Sequence, residues 1–486
     1  MRILIVSSEV APLAKTGGLA DVAGSLPPIL EQFGHEMAVC MPKYRAVTEG
    51  GFATEPVGPI SILIGSEPVD GAIEKTILPG SRVPVYLIAQ DAYFNREGLY
   101  DVEGRGYPDN LARFSFFCRG VLQWLEKSSW IPDIIHCNDW QTALIPLLIK
   151  TEFNLYPELS NLKTLFTIHN LAYQGLFPAE QIAIAGIGWD QFHIDGVEFW
   201  GQISLLKGGL VHADYLSTVS QAYSEEIQTE EFGCGLNGIL RKRAARLCGI
   251  LNGADYSTWD PATDTFIERN YSAETVSQGK AANKKELIRQ FGLSPECLSR
   301  PLIGIVTRLA YQKGIDLLVE ALPDLLKSDV ALTILGTGEL NLEEALSRLG
   351  NEYSGSCGVR IAYDERMAHL IEAGADMFLM PSRYEPCGLS QLYSLKYGTI
   401  PIVRSTGGLA DTIRDADEDP EGNGFVFEES SAAALKDTVD RAIVAFRTAQ
   451  RWNEIVRRAM AQDFSWSTAA RAYEKLYRKI LREAGV

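Results

Sequence analysis

Ile303-Gly304-Ile305-Val306-Thr307-Arg308-Leu309-Ala310-Tyr311-Gln312-Lys313-Gly314-Ile315 changes periodicity midway. Its first residues form an unbroken apolar run, which reads as a buried strand. A polar connection follows, glycine opens an amphipathic helix over 314–326, and Ala331 to Leu335 supplies the next strand. Strand, helix and strand in that order make a βαβ unit, and such units in series build a parallel sheet covered by helices.

The same alternation runs outward on both sides. Beyond the first strand at 301–306, the second half predicts strands at 331–335, 359–362, 376–380, 400–403 and 424–427, with helices at 314–326, 341–349, 365–373, 389–397 and 433–447. The first half predicts strands at 2–6, 37–40, 84–88, 132–136, 163–168 and 214–219, and helices at 18–32, 109–127, 139–150, 200–211 and 221–229. Residues 48–80 alternate and carry glycine and proline, which suggests a small antiparallel excursion. The break at Leu251-Asn252-Gly253-Ala254-Asp255 separates two doubly wound α/β domains. A length of 486 residues agrees, because single cores stop growing at about 250–300 residues.

Lysine and arginine number 45 against 62 aspartates and glutamates, a net charge of −17. A chain this acidic has no general attraction for nucleic acid or an anionic membrane, so neither is an expected partner. An anion would have to be held by local backbone and a few chosen cations. No two of the 8 cysteines form a CxxC pair, so redox and zinc-knuckle readings are excluded and buried thiols in a cytoplasmic protein are expected. Met1 to Val6 reads as a strand, too short for a signal peptide, and no apolar run is long enough to span a bilayer.

Thr16-Gly17-Gly18-Leu19-Ala20-Asp21 recurs as Thr406-Gly407-Gly408-Leu409-Ala410-Asp411. Each copy follows a strand and opens a helix. A glycine pair there lets backbone approach a ligand, and free N–H groups at a helix start favour phosphate. The alternative is a convenient helix start used twice. The dinucleotide fingerprint GxGxxG is missing after the first strand, which disfavours a nicotinamide oxidoreductase, and no Walker sequence is present.

Candidate functional residues cluster at strand ends. Arg308 and Lys313 oppose the dipole of the helix they precede, which makes sense if an anion sits there; a bridge to Asp316 or Glu320 is the alternative. Glu385, in Pro381-Ser382-Arg383-Tyr384-Glu385-Pro386-Cys387-Gly388-Leu389, is either a first-turn helix glutamate or a carboxylate turned to a ligand. Lys15 is either a solvated charge or a point charge for a diphosphate. Glu9 ends the first strand and either caps a turn or lines the crevice. In His136-Cys137-Asn138-Asp139-Trp140, His136 reads as a core histidine and Asp139 as a helix cap or a ligand. His169 in Thr167-Ile168-His169-Asn170 points out of the carboxyl end of its strand, where an imidazole can bond a hydroxyl. Tyr363 could stack on a flat ring, Asn252 is a hinge or a ligand, and the aromatics of Tyr93 to Tyr107 suit a sugar face. The histidines are scattered and no DxD adjoins these loops, so no metal site is expected.

Lys15-Thr16-Gly17-Gly18-Leu19, Glu385-Pro386-Cys387-Gly388-Leu389 and Ser405-Thr406-Gly407-Gly408-Leu409, in that order, resemble the bacterial glycogen synthase family, with plant starch synthases as near relatives. The resemblance runs from residue 1 to about 480. It implies the GT-B glycosyltransferase fold, two Rossmann-like domains facing a deep cleft, with transfer of glucose from ADP-glucose to the non-reducing end of an α-1,4-glucan (glycogen or maltooligosaccharide) and retention of configuration. It implies a first domain over 1–250 on the glucan side, completed by a C-terminal helix at 465–486, and a second over 251–464 that takes the nucleotide sugar. It implies catalytic roles for Glu385, His169, Arg308 and Lys313. Substrate contacts fall to Lys15, Gly17, Gly18, Glu9, Asp139, Asn252, Tyr363, Thr406, Gly407 and Gly408. ADP-glucose is the donor substrate, and no further cofactor is expected. A sucrose- or trehalose-type transferase of the same architecture and an inactive glucan-binding protein are the competing readings. Lys15-Thr16-Gly17-Gly18 favours the synthase over the first. The crowded cations and carboxylate argue against the second.

Overall fold

The computed structural model describes residues 1–102, 104–152, 155–159 and 161–484. Gly485 and Val486, the end of the expected 465–486 helix, and Glu103 of the 93–107 loop lie outside the described residues. The chain divides into two compact units. One comprises Met1–Val219, Ser224–Gly253 and the segment from Trp466; the other comprises Ser220–Tyr223 and Ala254–Ser465.

The first unit is built on a nine-stranded sheet. Its parallel part runs Leu247–Gly249, Tyr215–Thr218, Lys163–Ile168, Ile134–Asn138, Arg2–Val6, Glu36–Pro42, Pro84–Ala89. Glu67–Ile77 and Glu55–Ile64 then add as an antiparallel hairpin, the excursion foreseen over 48–80. Arg2–Val6 has its successor in sequence on one side and Ile134–Asn138 on the other. The winding therefore reverses between these two strands, and a crevice opens beyond their carboxyl ends.

The last helix, Trp466–Glu483, belongs to this unit. Tyr473 and Tyr477 are fully buried on it. The Tyr477 hydroxyl meets His136 Nδ1 at 2.8 Å, His136 Nε2 meets Thr167 Oγ1 at 2.6 Å, and Thr167 Oγ1 meets Ser217 Oγ at 2.6 Å. This polar line crosses three neighbouring strands. Burial lowers the His136 pKa to about 3, so the ring is neutral and structural.

The second unit carries a six-stranded, wholly parallel sheet in the order Cys357–Ile361, Ala331–Gly336, Leu302–Val306, Met377–Met380, Ile400–Arg404, Phe425–Phe427. Its reversal lies between Leu302–Val306 and Met377–Met380. Ile303, Ile305, Leu332, Ile334 and Ile402 are wholly buried, which explains the continuous apolar strands.

Two helices, Val276–Phe291 and Ala449–Met460, were not anticipated. The buried face of the first includes Gly279, Asn283 and Lys284, so its apolar period is broken. The helix expected over 200–211 begins only at Leu205. Gln202–Ser204 instead pairs with Leu176–Pro178 and Glu198–Phe199 in a small antiparallel sheet. Among the described residues no helix is long and apolar enough to cross a membrane.

Both copies of the hexapeptide repeat open helices, Gly18–Gln32 and Gly407–Thr412, but their surroundings differ. A Cβ on Gly407 would strike the Glu385 carbonyl oxygen, and one on Gly408 the Cys387 carbonyl oxygen. A Cβ on Gly17 would meet nothing within 4 Å. Gly408→Ala is therefore expected to lower stability by about 1–3 kcal/mol, whereas Gly17→Ala stays within about 0.5 kcal/mol. Denaturant melts of the two variants check this; equal midpoints would refute it.

Candidate active site

In the second unit the candidate residues stand on the loops that leave the two strands flanking the winding reversal. After Leu302–Val306 the chain forms the tight turn Tyr311–Lys313, and Gly314 takes a left-handed conformation with φ 67°. A Cβ on Gly314 would collide with the Pro381 carbonyl. Glycine thus permits the close approach that sets Lys313 against the loop after Met377–Met380. There Lys313 Nζ lies 2.5 Å from Glu385 Oε2, and Ser382 Oγ donates to the same oxygen at 3.0 Å. Glu385 is only 6 % exposed. It shares a small cavity with Lys313, Thr307 and Ser382.

Glu385 is not in a first helical turn. The helix begins at Ser390, so a helix-dipole role is removed. The bridge from Arg308 or Lys313 to Asp316 is not formed either, because Asp316 takes both Arg383 guanidinium nitrogens at 2.6 and 2.7 Å. Arg383 also stacks on the Tyr311 ring at 3.7 Å. Arg308 bonds only the Gln312 amide oxygen among the described side-chain contacts, at 3.1 Å, and is otherwise exposed. The second hexapeptide copy closes in from a third strand end, with Gly408 N donating to the Glu385 carbonyl at 3.0 Å. Thr406 is buried beside it. Tyr363 is 88 % exposed beyond the edge strand Cys357–Ile361, as a ring free to stack on a ligand would be. It has no packing role of its own.

In the first unit the Thr16–Gly17 turn follows the central strand. Glu9, nearly buried, turns its carboxylate into that turn. Its Oε2 accepts from Thr16 N at 2.5 Å and Gly17 N at 3.1 Å; its Oε1 accepts from Thr16 Oγ1 and Tyr100 Oη, both at 2.7 Å. In this structure the Thr16 and Gly17 N–H groups of the first repeat are thus taken up by Glu9. Gly18 begins the helix itself. Lys15 is exposed and pairs with Asp21 at 2.7 Å.

Asp139 follows the neighbouring strand with φ 57°, a conformation that non-glycine residues rarely hold. Its side chain makes no capping bond. Instead Oδ1 accepts the His169 N–H at 2.7 Å, tying the ends of two strands together. Burial first, then repulsion from Glu9, raises the Asp139 pKa to about 7. His169 Nε2 lies 2.9 Å from Asn138 Oδ1, while the Asn138 amide nitrogen donates to the Val6 carbonyl at 3.0 Å. The oxygen must then be the acceptor, so His169 is protonated on Nε2 and offers the Nδ1 lone pair. Burial pulls its pKa down to about 3, which keeps it neutral. Asn252 is buried, and its side-chain oxygen has no hydrogen-bond partner among the described residues.

Glu9, Lys15, Gly17, Gly18, Asp139 and His169 therefore gather at one end of the first sheet. Arg308, Lys313, Glu385, Thr406, Gly407 and Gly408 gather at one end of the second. The sequence reading passed over Ser382, Asn138 and Asp21. All three stand inside the segments it singled out, but nothing local shows which atom each would bond. It also assigned the aromatics of Tyr93 to Tyr107 to a sugar. Tyr100 instead bonds Glu9 and Ser8, and Tyr107 faces the Arg96 and Arg113 guanidiniums. Among the described residues no cluster of three or more His, Cys, Asp or Glu could hold a metal ion.

Residues 2–242 match the family model for the starch synthase catalytic domain, and residues 287–459 match glycosyl transferases group 1. The chain is 48 % identical over 480 residues to glycogen synthase 2 of Geobacter metallireducens, covering 98 % of each. It is 47 % identical over 481 residues to glycogen synthase of Syntrophotalea carbinolica, covering 99 % of each. Among solved structures it is similar to the catalytic domain of Starch Synthase IV from Arabidopsis thaliana bound to ADP and acarbose, with a TM-score of 0.90, 32 % identity and 99 % of both chains covered. With relatives this similar over nearly the whole chain, the chain belongs to the glycogen and starch synthase family of GT-B glycosyltransferases.

Proposed function

We propose that the protein transfers glucose from ADP-glucose to the non-reducing end of an α-1,4-glucan with retention of configuration, releasing ADP. The observation that carries this is the Lys313–Glu385 contact at the winding reversal of the second sheet, with Arg308 exposed on the same turn. An ammonium has three donors, so Lys313 can hold Glu385 and still reach a phosphate oxygen. Arg308 adds a planar fork for the same group. Both meet charge that grows on the β-phosphate as the glycosidic bond breaks.

Glu385 stabilises the oxocarbenium-like sugar or fixes its hydroxyls. A glycosidase-like double displacement would need a second carboxylate as acid, and a diphosphate leaves without one. The acceptor hydroxyl then attacks the face from which ADP departs, and the leaving phosphate oxygen takes its proton. The backbone at Thr406, Gly407 and Gly408 faces the phosphates, and Tyr363 stacks on adenine. We assign the second unit to the nucleotide sugar. In the first unit, Lys15, Glu9, Gly17, Gly18 and Asn252 serve substrate binding. His169 is a hydrogen-bonding partner for a sugar hydroxyl and not a general acid, because with a pKa of about 3 its imidazolium form is absent near neutrality.

Incubation with labelled ADP-glucose or UDP-glucose and glycogen, followed by polymer precipitation, tests the function directly; an unlabelled polymer with both donors would overturn it. Lys313→Ala should lower kcat by ~10²–10³ with the fold intact. Glu385→Gln should lower kcat sharply with little change in the ADP-glucose KM and no glucosyl-enzyme on rapid quench. Wild-type turnover in either variant, or a kinetically competent adduct on Glu385, refutes the assignment.

Asp139 supplies a pH test. Its folded pKa of about 7 means that it loses its proton as pH rises from 6 to 8. The carboxylate is the better acceptor for the His169 N–H, so kcat/KM should climb with pH through an inflection near 7. Asp139→Asn should remove that inflection. A profile that survives the substitution would assign it elsewhere.

A further inference from the structure

Arg113 is the largest fully buried side chain among the described residues, with 0 % exposure. Among the described residues it has no carboxylate in hydrogen-bond contact: nearby Asp109 is held by Arg96 at 2.7 and 2.6 Å. Its donors go to an irregular loop instead. Nε donates to the Tyr93 carbonyl at 2.7 Å, one terminal nitrogen to the Leu99 carbonyl at 2.9 Å, and the other to Asn110 Oδ1 at 2.6 Å. The guanidinium carbon lies 4.8 Å from the Tyr107 ring centre and 5.5 Å from that of Phe94. Taking a guanidinium out of water costs several kcal/mol, and an apolar residue would fill the same space without that cost. A rigid fork that fixes carbonyls on both sides of one loop is what an apolar residue cannot supply.

What the loop delivers is Tyr100, the residue after Leu99. Asn110, held by Arg113 through its oxygen, also donates its amide nitrogen to the Tyr100 carbonyl at 3.0 Å. Tyr100 Oη in turn donates to Glu9 Oε1, and the other Glu9 oxygen holds the Thr16 and Gly17 N–H groups. A continuous line of bonds thus runs from Arg113 through Tyr100 and Glu9 to the turn that carries Lys15. We propose that Arg113 is a positioning residue for glucosyl transfer: through Tyr100 and Glu9 it fixes the Lys15–Gly17 turn. The link to transfer rests on the function proposed above; the link to the turn does not.

The test separates the two. Hydrogen–deuterium exchange read by mass spectrometry follows the peptide covering Thr16 to Gly18 without any substrate. In Arg113→Lys, which keeps the charge and loses the fork, and in Tyr100→Phe, exchange there should rise, while peptides from the Ile134–Asn138 strand stay protected. Arg113→Lys should also cut kcat by at least ~10-fold, as expected for misplaced binding groups. Its effect in the Tyr100→Phe background should be markedly smaller than in the wild type, because both act through one line of bonds. Unchanged exchange at Thr16–Gly18, or losses that multiply fully in the double variant, would overturn the proposal. Loosening of the turn in a chain that transfers no glucose would retain the positioning and remove only the function it was assigned to. If Arg113→Lys does not fold, Tyr100→Phe with Asn110→Ala carries the same comparison from the far side of the fork. Unchanged exchange in both would then overturn it.

Discussion

Two stretches of main chain converge on the loop of Glu385 more closely than side chains would allow. The turn at Gly314 presses on the Pro381 carbonyl, and Gly407 and Gly408 press on the carbonyls of Glu385 and Cys387. Held in that clasp, a nearly buried carboxylate has Lys313 at 2.5 Å and the Ser382 hydroxyl at 3.0 Å. A buried ion pair of this kind is poor evidence of stability, since desolvation offsets much of the attraction. Its worth lies in position: a cation and an anion are fixed side by side where a parallel sheet changes its direction of winding. In a chain with a net charge of −17, a cation fixed in this way is a local site where an anion meets a favourable field against an unfavourable background.

The two copies of the hexapeptide show how far identical residues can diverge in use. In the second unit the glycines admit a neighbouring backbone, and the main-chain carbonyl of Glu385 receives the helix start. In the first unit there is no such neighbour at Gly17, and a side-chain carboxylate, Glu9, supplies the acceptor instead. The repeat specifies a helix start that needs an acceptor. Whether a carbonyl, a carboxylate or a phosphate provides it is decided by residues far away in sequence.

Much of the fold was legible because parallel strands buried on both faces leave continuous apolar runs such as Ile303 to Val306 and Leu4 to Val6. The site loops were legible for the same reason, since they begin where those runs stop. Helices with a mixed buried face, Val276–Phe291 above all, gave no clean period. The short antiparallel strands near 176–204 were too brief to alternate visibly. Pairings were less readable than positions. Nothing near Lys313 names Glu385 as its partner, 72 residues on, and Tyr100 looked like a sugar platform because its bond to Glu9 spans 91 residues. Resemblance supplied roles for single residues. It did not supply the bonds that hold them.

The helix Trp466–Glu483 returns to the first sheet and places the Tyr477 hydroxyl on His136. On a ribosome, chains are released from the N-terminus onward and domains tend to fold as they emerge. Here the earlier unit lacks the Tyr477 hydroxyl on His136 Nδ1 until Trp466–Glu483 has left the exit tunnel. The inserted unit, whose sheet is complete by Phe427, can reach its own packed form while the first is still unsealed. Order of synthesis and order of completion are therefore reversed between the two units, and the one begun first is closed by a helix made after the other.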